Sequence, residues 1–259
     1  YTWTATKTMD AEDNEGQDIV FNITFKDLAA NEGVAISATL DETSVWFDNT
    51  APDLDPPVLA STNTNPPANE LATTNDVITI TIESDEPLYS IKDAAIAGQD
   101  VADQTTVATN DRSWEVGHTV LGTEADGYAS YAYTAVDLAG NTTTVTSASS
   151  IIRIDNTPPV LNTIEISSNN VINGVASPTW ASDNATDPDT DDGDEVTVTI
   201  VANEALIGAP TITIGGRGDA NVTIVNVGSD NQTYTGVHEM DDTDAEGLVE
   251  FTIAFQNVH

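Results

Sequence analysis

The sequence contains no cysteine and only six basic residues. Without cysteine there is no disulfide framework, which excludes the small stapled secreted scaffolds and leaves extracellular prokaryotic repeat proteins open. Against six Lys and Arg stand 43 Asp and Glu, for a formal net charge of -37. Phosphate recognition needs a basic surface that releases counterions, so nucleic acid and anionic membranes are disfavoured as partners. Apolar runs of the roughly 18 to 20 residues needed for a membrane span are absent, so direct membrane insertion is not expected. Tyr1 does not begin a signal peptide, and the chain reads as a piece of something longer.

Catalytic equipment is missing as well. There is no Cys nucleophile and no nucleophile elbow, and Gly215-Gly216-Arg217-Gly218 lacks the Lys and the succeeding helix of a phosphate loop; a hairpin turn explains it better. Carboxylates are so frequent that proximity alone nominates no glycosidase pair. The expectation is a protein that is not an enzyme. What is present suffices to fold: 39% of the residues are hydrophobic, enough to build cores, while self-repulsion has to be managed by solvent, salt or bound cations.

The chain repeats itself. Phe21 to Asn31 (FNITFKDLAAN) lines up with Tyr131 to Asn141 (YAYTAVDLAGN) and with FTIAFQNVH from Phe251 to His259. Upstream of each copy an aromatic residue is followed by an acidic turn that contains glycine, from Trp3 to Gly16, Trp114 to Gly127 and Tyr234 to Gly247. The three glycines are 111 and 120 residues apart, the size of one sandwich domain. Asp48-Asn49-Thr50-Ala51-Pro52 and Asp155-Asn156-Thr157-Pro158-Pro159 read as linkers, each leading into Pro-Pro-Val-Leu. Three domains are expected: 1–50, the C-terminal part of one; 51–157, complete; and 158–259, lacking its last strand. Open sheet edges at both ends would be completed by continuing chain or by a neighbouring molecule.

Within elements the period is two. Val77-Ile78-Thr79-Ile80-Thr81-Ile82 and Val196-Thr197-Val198-Thr199-Ile200 alternate apolar residues with Thr, the pattern of half-buried antiparallel strands. Long amphipathic helical patterns are absent, although Leu88 to Ala97 could hold a helical turn. The fold class expected is all-β.

These residues resemble a known family. LNTIEISSNN (Leu161 to Asn170), the strand ending in Glu204, Thr211 to Gly216 and the block from Tyr234 to His259 look like the immunoglobulin-like repeats of giant bacterial and archaeal adhesins and S-layer-type proteins. Asp137 to Asn141 (DLAGN) followed by DNTPP is similar to that family's usual ending. The resemblance implies tandem immunoglobulin-like β-sandwiches.

In such a topology the acidic residues sort to the poles of the domains. At the first junction Asp53 and Asp55 would meet Glu83, Asp85, Glu86, Asp137 and Asn141, a hard oxygen set suited to Ca²⁺; alternatively Asp137 and Asn141 merely shape a tight turn. At the second junction Asp155 would face Asn203, Glu204 and Asn257, with Glu124 and Asp126 approaching. The insertion holding Asp187, Asp189, Asp191 and Asp194 resembles a calcium loop with its glycine one place late. It should lie near Asp241, Asp242, Asp244 and Glu246, whose like charges repel without a cation. The matching turn of the first repeat, with Glu12, Asp13 and Glu15, reads as solvated.

His118 and His238 stand four residues after the Trp114 and Tyr234 markers, where the first repeat has Lys7, and read as an exposed strand position. Trp3 and Trp114 share one repeated position and should pack against a sheet. Trp180 reads first as packed in the core or against a loop, and is the one aromatic to watch for a ligand as the alternative. Sequons occur at Asn22, Asn141, Asn184, Asn221 and Asn231, which matter if the source glycosylates its surface. The function expected is structural and extracellular: calcium-stiffened modules of an adhesin stalk, sheath, filament or S-layer. Neighbouring domains or copies of the same protein are the expected partners. Alternatives are a module binding a carbohydrate or receptor, and an accessory domain of a secreted hydrolase.

Overall fold

A computed structural model describes residues 2–65, 69–101, 106–108, 110–172, 175–181, 193–216, 221–241 and 243–255. The chain separates into two compact units. One comprises residues 2–61, 77–120 and 128–153, and the other residues 62–76, 121–127 and 154–255.

In the first unit, Val77–Glu83 lies between Val58–Ser61 and Ser113–Thr119, and Thr106–Ala108 adds a fourth strand beyond the latter. A second four-stranded sheet runs in the order Thr142–Ser147, Tyr131–Asp137, Leu88–Ile96 and Gln99–Asp100. All these pairings are antiparallel. Alternation places Ile78, Ile80 and Ile82 inward, with Leu88, Ile91, Ile96, Tyr133 and Ala135 buried on the other sheet. Each buried Ile contributes roughly 1.5 to 3 kcal/mol, and Val116, Val120 and Ile152 are buried in the same unit.

Leu88 to Ala97 holds no helical turn. Leu88–Ile96 is a nine-residue strand, because pairing with Tyr131–Asp137 through two register shifts accommodates the residues that break its alternation. The segment before Asp48 is sparser: Gln17–Asp18 pairs with Trp46–Phe47, and single bridges join Ile23 to Ile36 and Lys26 to Glu32. Trp3 is 91% exposed, contrary to the packed position that its repeat equivalent Trp114 suggests.

In the second unit, Leu161–Ser168, Glu195–Ala202, Thr233–Glu239 and Thr223–Asn226 form a sheet in that order. Thr211–Ile214 pairs with Phe251–Ala254. Val196, Val198, Ile200, Leu206, Ile212, Ile214 and Tyr234 make one buried cluster, and the Tyr234 hydroxyl donates to the Gly208 carbonyl at 3.1 Å. Among the described residues there is no helix. The architecture is all-β and immunoglobulin-like, built from antiparallel sheets.

The histidines are not exposed. His118 and His238 are 1% and 3% accessible. A spacing of four in a strand keeps two residues on one face, so a histidine four places after an inward aromatic must also point inward. In the second unit His238 Nδ1 lies 2.9 Å from the Asn221 carbonyl oxygen and Nε2 3.0 Å from Asp244 Oδ2. Its counterpart in the first repeat, Lys7, pairs with Asp13. The nitrogen-bearing side chain and the acid are six residues apart in both repeats, and the acid also accepts a backbone N–H three residues upstream, from Asp10 at 3.0 Å and from Asp241 at 2.9 Å.

Candidate functional site: the two linkers

The two segments expected to be linkers are each hydrogen-bonded on two sides, by corresponding residues. In the first unit, Glu15 Oε1 accepts the Asn49 N–H at 2.8 Å and the Thr50 hydroxyl at 2.5 Å. In the second unit, Asp126 Oδ1 accepts the Asn156 N–H at 2.7 Å and its Oδ2 the Thr157 hydroxyl at 2.5 Å. Charge-assisted bonds of this kind are short and roughly twice as strong as neutral ones. The Thr50 hydroxyl and then the Asn49 N–H hold the Glu15 carboxyl below its ordinary range. The acidic turn that reads as solvated is therefore tied to the linker; charge density alone does not reveal that two donors lie within reach.

On the other side, Asp53 donates its N–H to Asp85 Oδ1 at 3.0 Å and accepts the Asp85 N–H on its carbonyl at 3.1 Å. Val160 and Asn203 repeat this exchange at 2.7 and 2.9 Å. In the first unit Asn141 Nδ2 also donates to the Asp48 carbonyl at 3.4 Å, and the Thr143 hydroxyl to the Pro52 carbonyl at 2.6 Å.

The acids named from sequence distribute over these bonds. Asp137 is 1% exposed. Its Oδ1 accepts the N–H groups of Ala139, Gly140 and Asn141 and its Oδ2 the Asn141 side-chain amide. Asp27 and Asn31 build the same turn in the first repeat, so Asp137 and Asn141 do shape a tight turn.

Asp137 is also one of three acids, with Asp48 and Glu86, whose carboxylate oxygens lie within 4.8 Å of one another. Burial and the charges of Asp48, Asp137 and Asp85 push the Glu86 carboxyl above its ordinary range. A cation held by these oxygens would relieve that repulsion, and an all-carboxylate donor set suits a hard ion such as Ca²⁺. Asp53 and Asp85 are used in the linker exchange, the Asp55 N–H donates to the Glu83 carbonyl at 3.1 Å, and Glu83 Oε1 accepts the Ser113 hydroxyl at 2.7 Å. None of these four belongs to the three-acid group.

Asp48 is not among the acids that the sequence singles out, yet it occupies the same Asp-Asn-Thr position as Asp155, which is.

At the second linker Asp155 is buried and its Oδ1 accepts the Thr157 N–H at 3.1 Å. The N–H groups of Leu121 and Thr123 donate to the buried Glu124, and Glu204 is half-buried. Asp194 is buried and its carbonyl accepts the Met240 N–H at 3.0 Å. Asp244 belongs to the His238 pair. Asp187, Asp189, Asp191, Asp242 and Asn257 lie outside the described residues. Trp180 is 73% exposed, so it does not pack as the sequence suggests.

No family model and no curated protein matches the chain. Among solved structures, the chain is similar to titin Ig tandem domains A164-A165, at 11% identity and a TM-score of 0.23, over 71% of this chain and 90% of that one.

Proposed function

We propose that the chain is a run of like immunoglobulin-type repeats, divided at 1–50, 51–157 and 158–259, that serves as a non-catalytic, stiff spacer on the outside of a cell. An adhesin stalk, sheath, filament or S-layer lattice would use such a spacer, with neighbouring repeats or copies as its partners. The observation that carries the reading is the two-sided hydrogen bonding of both linkers, since a spacer transmits length only where its joints do not flex. Calcium at Asp48, Glu86 and Asp137 would add to this stiffness at the first linker, and its binding would stabilise the native state by mass action.

Small-angle scattering and melting with calcium, then with excess chelator, test the proposal. A stiff spacer gives an elongated profile in both conditions and a lower melting temperature in chelator. Profiles of freely jointed domains would overturn the spacer, and unchanged melting would overturn the calcium.

A second reading, carbohydrate or receptor binding, draws on the exposed Trp180, because an uncovered indole can stack on a sugar ring. A glycan array separates the two, since a pure spacer binds nothing.

A further inference from the structure

Glu15 and Asp126 do the same thing to the same tripeptide. Each immediately precedes a glycine in the left-handed region, Gly16 at φ +70° and Gly127 at φ +136°. Each accepts an Asn N–H and a Thr hydroxyl from an Asp-Asn-Thr segment. Both segments are shaped in advance by their own aspartate, which accepts the Thr N–H at 3.1 Å. Two independent stretches of sequence thus form one recognition unit: a carboxylate before a positive-φ glycine, facing an N–H and an O–H that neighbour each other in the partner segment.

The third acidic turn has the same build. Asp244 accepts the Asp241 N–H as Asp13 accepts that of Asp10, and Gly247 takes φ +133°. Glu246 stands where Glu15 and Asp126 stand, directly before that glycine, and it is exposed. The sequence has two Asp-Asn-Thr segments, at 48–50 and 155–157, and both are already held.

We propose that Glu246 is a docking position for an Asp-Asn-Thr-Pro linker of a further repeat of this kind. Its carboxylate takes the Asn N–H and the Thr hydroxyl, on one oxygen as in Glu15 or on two as in Asp126. The occupant follows from the two filled copies, which show which donors a carboxylate at this position recognises and how the partner must be pre-shaped. Proline after the threonine, found at Pro158 and one place later at Pro52, keeps that segment extended and lowers the entropy lost on docking. The inference rests on the reading of the chain as a run of like repeats but not on calcium.

The test uses the full chain, labelled with ¹⁵N, and a capped peptide of residues 154–159. Joined through a linker, the contact is intramolecular; as a free peptide it lacks that effective concentration, so titration should run to roughly 20 mM. Saturable shifts of the Glu246 and Gly247 amides are expected, while Gly16 and Gly127 stay still because their positions are filled. The shifts should vanish in Glu246→Ala, an exposed substitution that leaves the fold intact. They should weaken at least about threefold for a peptide with Val in place of Thr, which loses one charge-assisted bond.

No shift at the highest concentration, or shifts that survive Glu246→Ala, would overturn the docking position. Calcium-dependent melting is read on the same sample. A failed titration with intact calcium dependence removes only the docking position, and the converse removes only the metal.

Discussion

The two Asp-Asn-Thr segments, which the proposed reading makes linkers, have corresponding hydrogen bonds and differ in their charge. Glu15 and Asp126 do the same work on one side, as do Asp85 and Asn203 on the other. Around the first linker, however, three carboxylates converge. By repeat register, Asp48, Glu86 and Asp137 correspond to Asp155, Glu204 and Asn257, so the second linker has one acid fewer, and Asp85 is replaced there by the neutral Asn203. The lesson is that the grip and the charge cluster are separable. The grip needs only acceptors at fixed places, which Asp and Asn both supply. A cation needs summed negative charge.

The largest effect expected from this difference is on calcium-dependent stability. At a calcium concentration 100 times the Kd, the wild-type chain should gain about 2.7 kcal/mol over its metal-free state. Glu86→Gln should lose most of that gain and Glu204→Gln little of it, as read by melting with and without chelator. Equal losses would erase the distinction between the linkers. In the opposite direction, Asn257→Asp restores the third acid by register, and calorimetric titration should then find one more calcium ion per chain than the wild type binds.

A smaller effect follows from cutting the grip. Asp126→Ala should cost about 1 kcal/mol, because the bonds are charge-assisted but exposed. It should also speed hydrogen exchange at the Asn156 amide while leaving that at Asn49 unchanged. Acid should weaken the first grip too. The Glu15 carboxyl is held below its ordinary range, so its contribution is present above that range and is lost as pH falls through the lowered value.

The smallest effect has the opposite sign. Glu86 is raised by burial and by its acidic neighbours, so the metal-free fold favours its protonated form. That advantage is present at pH below the ordinary Glu range and is lost as pH rises through the raised value. Without calcium at neutral pH, Glu86→Gln should therefore stabilise the chain, by less than about 1 kcal/mol. Destabilisation on melting would mean that the three acids do not repel one another as described.

Strand alternation and the glycine spacing were legible in the sequence, because period two and repeat length are properties of the chain alone. The inward course of Ile78, Ile80 and Ile82, and of Val196, Val198 and Ile200, follows directly from them. Parity also places His118 and His238 inward; the polarity of the imidazole alone points to the exposed face.

Leu88–Ile96 was illegible for a different reason. Its register shifts depend on Tyr131–Asp137, a partner distant in sequence. At the expected linkers, the crowd of acids conceals which carboxylates cluster and which accept hydrogen bonds. Only the fold shows that Glu83 serves Ser113 and Asp85 serves Asp53, while Asp48 joins Glu86 and Asp137.

Hydrogen exchange at the Asn49 and Asn156 amides of the intact chain, measured in chelator and again in calcium, tests the grip most directly. Both amides should be protected in chelator, and calcium should slow Asn49 further while leaving Asn156 where it was. Exchange of both amides at the rate of an unstructured peptide in chelator would contradict the account, for the joints would then be loose without metal.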